Sequence, residues 1–170
     1  MNRLLILFTV LMFSVSFAYS QSRKERKALF DSMQNFEIST IKVATDGTKF
    51  VKVWGYGKKV DDAVVQAKKN AVYACIFRGL PAASTANATP ALCKDPNAYN
   101  MHQEYFDSFF ETAGPYINYV NMTTDGVPSG QDRLKIKKGY KVAIYVQVMF
   151  DNLRKKLEAD GIIKSLSSGF

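Results

Sequence analysis

From Val60 to Arg78, residues recur at the three- and four-residue steps that turn one face of a helix toward a neighbour: Val60, Val64, Ala67, Ala71, Ala74 or Cys75, then Arg78. Asp61 and Asp62 fall in the first turn, where the helix dipole favours acids, and Gly79 supplies a stop. Alanine leaves little side chain on the inward face. A sheet or another helix must therefore lie very close beneath it.

Ahead of this helix the period is two. Phe36, Ile38 and Thr40 alternate with Glu37, Ser39 and Ile41 and lead to Val43. Asp46-Gly47 then supplies a hairpin turn, since both residues tolerate positive φ. Phe50, Val51, Val53 and Trp54 make the return strand, which Gly55 and Gly57 end. Residues 80–100, with Pro81, Pro90 and Pro96 among Ala, Ser, Thr and Asn, read as a long excursion. A second helix is predicted over about 101–113, with Tyr105, Phe106, Phe109 and Phe110 on its apolar face and Gly114-Pro115 as its stop. Tyr116 to Met122 reads as a strand, residues 124–130 as a turn, and Arg133 to Lys137 as another strand. Tyr140, Val142, Ile144, Val146 and Val148 then alternate with Lys141, Ala143, Tyr145, Gln147 and Met149. Asn152 is placed to cap a last helix through Leu153, Leu157 and Ala159, closed by Gly161. This order implies an α+β fold: a single domain whose antiparallel sheet carries two or three helices mainly on one face.

Asn2 and Arg3 open the chain, an apolar run follows from Leu4 through Phe17, and Ala18-Tyr19-Ser20 offers small residues at a cut before Gln21. That is the layout of a secretory signal peptide. The expected organisation is a signal over 1–20, a helical arm over 21–35, the α+β domain over 36–161 and a tail over 162–170. The apolar run holds no cysteine for lipid attachment, and no second stretch is long and apolar enough to span a bilayer. The expectation is an exported protein, periplasmic or secreted, that is not lipid-anchored.

The formal charge is +8, and the signal contributes only Arg3 to it, so the remaining chain is basic. A basic surface attracts anions such as lipopolysaccharide, polysaccharide or acidic protein. Export makes nucleic acid the least suitable target. The candidate residues for an anionic polymer are Lys135, Lys137, Lys138 and Lys141, joined by Lys58 and Lys59. Cys75 and Cys93 are the two cysteines, and in an oxidising compartment they are candidates for a bridge worth about 3 kcal/mol. The alternative is a buried Cys75 behaving as a small hydrophobe, with Cys93 idle.

Patterns that could carry catalysis are weak. Gly55-Tyr56-Gly57 lacks the third glycine of a dinucleotide cradle, whose place Val60 takes. Ser39 and Lys42 have a nucleophile-like spacing, but in a strand residues three apart face opposite sides. His102 is the only histidine and stands without the cluster that a metal site needs. No catalytic residue, cofactor or metal site is assigned. Among the aromatics, Tyr56, Tyr99 and Tyr119 suit exposed contact, while Phe106, Phe109 and Phe110 suit a core.

The run Val51-Lys52-Val53-Trp54-Gly55-Tyr56-Gly57, followed by a helix with Ala63, Ala67, Ala71 and Ala74, resembles the opening of a bacterial envelope domain. That domain occurs in the Lpp-twenty-type lipoproteins and at the N-terminus of the flagellar assembly protein FlgT. The strand over Tyr140–Met149 and the helix over Leu153–Ala159 are similar to its end. The likeness covers residues 50–80 and 139–160 and implies an α+β envelope module, without catalytic residues, that works by contact with other proteins. The expected function is therefore a non-enzymatic cell-envelope domain engaged in protein contact or complex assembly, with an envelope protein or complex as partner. Electrostatic binding of an anionic envelope polymer is the alternative. The expected contacts are the 80–100 excursion, with Tyr99, and the turn Gly55, Tyr56, Gly57, Lys58 and Lys59, because exposed loops carry recognition.

Overall fold

Alanine does bring the long helix down onto a sheet. In the computed structural model, which describes residues 35–124 and 126–165, the chain begins with β1 (Ile38–Val43) and β2 (Lys49–Gly57). Helix α1 (Val60–Tyr73) follows and runs on into a π turn, Ala74–Arg78. Two short helices, α2 (Ala98–Met101) and α3 (Gln103–Phe109), precede a 3-10 turn at Pro115–Tyr119. Then come β3 (Val120–Met122), β4 (Arg133–Ile136), β5 (Gly139–Val148) and α4 (Phe150–Ala159). The expected signal peptide, nearly all of the expected arm, and residues 166–170 lie outside the described residues.

The fold is α+β, a single domain on one antiparallel sheet ordered β1-β2-β5-β3. Strand β5 is the spine. One of its edges pairs with the whole of β2, from Lys49↔Val148 to Gly57↔Tyr140. Its other edge is divided: β4 takes the first half, Arg133↔Val142 to Ile136↔Gly139, and β3 takes the end, Val120↔Val148 to Met122↔Val146. The period-two pattern sorts the faces. Val51, Val53, Val142, Ile144, Val146 and Val148 are buried on the inner side.

Helix α1 lies on that inner side with Ala63, Ala67 and Ala71 fully buried, as is Ala74 at the start of the π turn. Lys59 N–H donates to the Asp62 carboxylate at 3.1 Å, closing the first turn. Asn70 is fully buried and satisfied twice: its amide donates to Trp54 O at 2.9 Å, and its Oδ1 accepts from Gln66 at 2.9 Å. The helix end is capped from outside. Leu92 N–H donates to Cys75 O at 3.0 Å and Cys93 N–H to Ile76 O at 2.8 Å, satisfying carbonyls that the last turn leaves open.

Several boundaries differ from those expected. The predicted helix over 101–113 is two pieces broken at His102, and it begins earlier, at Ala98. Tyr116 to Met122 is a strand only from Val120, because Pro115 at the start of a turn favours helical geometry. The last helix starts at Phe150, so Asn152 lies inside it and is no cap. The aromatic face is as read: Phe106, Phe109 and Phe110 are buried and meet Tyr73, Phe77 and Tyr116 in a continuous ring cluster.

The 80–100 excursion is stitched rather than free. It folds on itself through bridges Leu80↔Thr89 and Ala83↔Ala86 and runs beside the outer edge of β1. Two hydroxyls tie it there: Thr40 Oγ1 donates to Pro81 O at 2.6 Å, and Thr85 Oγ1 to Ile41 O at 3.2 Å.

A Cβ at Gly55 would stand 2.2 Å from Ala63 O and 2.4 Å from Ala67 N, both backbone atoms that cannot yield cheaply. Gly55→Ala should cost about 3 kcal/mol by forcing helix and strand apart, measured as a loss of stability in urea unfolding.

Candidate functional site

Gly55 and Gly57, expected as partner contacts, belong to the packing. Gly55 is buried under α1, and a Cβ on Gly57 would meet Ala63 N at 2.4 Å. Gly55 presents no surface to a partner, and Gly57 is half-buried. Tyr99 is likewise drawn inward: its ring stacks on Phe106 at 5.6 Å, and its hydroxyl donates to Asp107 at 3.0 Å. Lys58 and Lys59 remain exposed, as expected. Tyr56 is half-buried on the outer face of the sheet.

The turn at Lys58 has company that the linear sequence does not display. A Cβ at Gly139 would lie 2.2 Å from Gly57 O and 3.1 Å from the Lys58 Cα, so the β4–β5 turn rests against the end of β2. That turn is Lys137-Lys138, with Lys135 paired to Tyr140 just before it. Lys58, Lys59, Lys135, Lys137 and Lys138 are all exposed and gather at one end of the sheet.

Lys141, also expected to meet an anionic polymer, is engaged elsewhere. Its ammonium pairs with Glu37 and lies 4.6 Å from the Trp54 ring centre and 5.7 Å from that of Tyr56. The Glu37 hydrogen bond raises its pKa. Lys52, on β2 opposite Tyr145, repeats the arrangement. It pairs with Asp132 at 2.6 Å, which raises its pKa, and sits over Trp54 and Tyr145. Beneath this layer Ala143 is buried although its neighbours face outward. The outer face is thus closed by its own lysines, rings and carboxylates.

A β-bulge at Ile41 changes one exclusion. Ser39 pairs with Lys52 and Lys42 with Phe50, so Ser39 and Lys42 share a face after all. The Lys42 ammonium lies 4.7 Å from the Phe50 ring centre, where a cation–π contact occupies it.

Strand β4 falls within the strand expected over Arg133–Lys137, and its exposure is what the sequence does not display. All four of its residues are exposed, including Leu134 at 44% and Ile136 at 41%. Among the described residues it pairs with β5 alone, on one side. The available signal was the alternation Arg133-Leu134-Lys135-Ile136 just before a two-residue turn.

Cys75 and Cys93 are free thiols, both buried, and the expected bridge is not formed. Burial pushes Cys75 up to about 12 and Cys93 up to about 11. Neither has the lowered pKa of a reactive cysteine. Lys69 is buried against the Tyr116 ring, and desolvation lowers its pKa, with Glu111 opposing. His102 is half-buried at the joint of α2 and α3, where its carbonyl accepts from Phe106 N–H at 3.0 Å.

Compared with protein-family models, curated proteins and solved structures, the chain finds no match.

Maleimide at neutral pH should leave both thiols unlabelled until denaturant is added, as read by intact mass. Because folding raises both thiol pKa values, their stabilising contribution is complete below about pH 9 and is lost as pH rises toward 11 and 12. Melting temperature should fall over that window. Lys69→Met removes a desolvated ammonium and should stabilise the fold by about 1 kcal/mol, measured by chemical denaturation.

Proposed function

We propose that the chain is an exported, non-enzymatic domain of the bacterial cell envelope that works by docking to another envelope protein. The observation that carries this reading is β4, an exposed strand with apolar Leu134 and Ile136 and a side that no described strand pairs. Sheet edges of this kind recruit further strands or surfaces. The likeness of residues 50–80 and 139–160 to envelope assembly modules supports the same reading, as does the signal-like start.

A second reading, electrostatic capture of an anionic polymer such as lipopolysaccharide or polysaccharide, is favoured by the gathering of Lys58, Lys59, Lys135, Lys137 and Lys138. The two differ in salt response, since exposed charges are screened within roughly 10 Å at 0.1 M salt and apolar contacts are not.

The test is co-sedimentation of the full chain, as its host produces it, with washed envelopes at low and high salt. Protein docking predicts retention at high salt that the Leu134→Asp, Ile136→Asp double variant loses. Release at high salt, and loss in a Lys137→Glu, Lys138→Glu variant alone, would replace it with the polymer reading. Absence of binding in both salts would overturn contact with the envelope altogether.

A further inference from the structure

Resting on the protein-docking reading, we propose that the partner adds to the open edge of β4 as an extended strand that alternates acidic with apolar residues. The backbone supplies the first half of the argument. A strand in a sheet directs its N–H and C=O groups to both sides, and β4 is paired only toward β5. Among the described residues no strand pairs with its other side, and the side chains of Arg133–Ile136 are exposed.

The remaining edges are less open. The outer edge of β1 has the excursion bound along it through Thr40 and Thr85. Strand β3 offers three residues, the first of them buried, and Thr123 N–H already donates to Tyr145 O at 3.0 Å in the gap before β4. Strand β4 is therefore the edge on which an incoming strand meets least obstruction.

Register specifies the partner's chemistry. Arg133 and Lys135 pair with Val142 and Tyr140 and share one face; Leu134 and Ile136 pair with Lys141 and Gly139 and share the other. An added strand would place its own residues about 5 Å from these, alternately on the two faces. Acids would then lie opposite Arg133 and Lys135, and apolar side chains opposite Leu134 and Ile136. No acid lies between Arg133 and Lys141, and Asp132 is already paired with Lys52. A second copy of the chain fits poorly, because two β4 strands side by side would oppose base to base.

The full chain can be titrated with a short capped peptide alternating valine and glutamate, while amide shifts and hydrogen exchange are read over residues 133–136. One control peptide has the same composition in two blocks, and another alternates valine and lysine. The expected result is slowed exchange in β4 with the alternating acidic peptide, and binding at least about tenfold tighter than for either control. Lys135→Glu should weaken it about tenfold with the rest of the spectrum unchanged, whereas Lys58→Glu, off the edge, should not. Equal binding by the blocked peptide, equal weakening by Lys58→Glu, or no protection of β4 would overturn strand addition. If that happens while envelope retention still needs Leu134 and Ile136, the docking reading survives; if retention is absent too, both fall.

Discussion

Helix α1 rests on the sheet backbone to backbone, and the rest of the domain is arranged around that short distance. Where side chains normally separate a helix from a strand, Gly55 and Gly57 meet Ala63 and Ala67, and even a methyl group would collide with peptide atoms. Such a contact buries little apolar area of its own. Its value lies in bringing the valines and isoleucine of β2 and β5 into one dry layer with the helix, and in letting Asn70 reach Trp54 O. The close approach then continues to the next strand. Gly139, at φ +147, sits against Gly57 O and so fixes the β4–β5 turn beside the end of β2. The meeting of lysines from two distant segments is a consequence of that glycine sequence.

The sheet handles its two sides in different ways. Along β1 the excursion is held by hydroxyl-to-carbonyl bonds from Thr40 and Thr85, which shields the edge without extending the ladder. Along β4 the described residues supply no such cover, and Arg133 and Lys135 alternate with Leu134 and Ile136, all exposed. Lysine on a bare edge is a common defence against self-association, because like charges keep two copies apart. In the proposed strand addition the same residues would attract an acidic strand, so protection against self and selection of a partner would have one physical origin.

The sequence made the skeleton legible where period and composition agreed. The alternation of Tyr140–Met149 and the alanine face of Val60–Arg78 both appear as read, because burial on one face imposes the pattern. Boundaries failed where local chemistry intervened. Pro115 turned the start of an expected strand into a 3-10 turn, and the bulge at Ile41 put Ser39 and Lys42 on one face despite odd spacing. The site was less legible, for a different reason. Gly55 and Gly57 stood out as a loop motif when their service is to the interior. Lys141 counted as one more cation until Glu37 and two rings were found to hold it. No local pattern records which lysine has a tertiary partner.

That distinction decides where a contact can form. Lys52 and Lys141 lie over aromatic rings and face carboxylates, so an external anion would have to displace an ion pair and a cation–π contact to use them. Exposed amines at the Lys137-Lys138 turn and at Lys58-Lys59 have no such attachment among the described contacts, and neither does Lys135. Unengaged positive charge is therefore concentrated toward one end of the sheet, while on the broad outer face Lys52 and Lys141 are already held by carboxylates and rings. On β4 the Arg133 guanidinium lies 5.4 Å from the Tyr140 ring centre. The exposed Lys135 amine, the exposed apolar side chains and a backbone edge unpaired among the described residues nevertheless coincide there. A partner reading any one of these could bind in several places; a partner reading all three is confined to that edge.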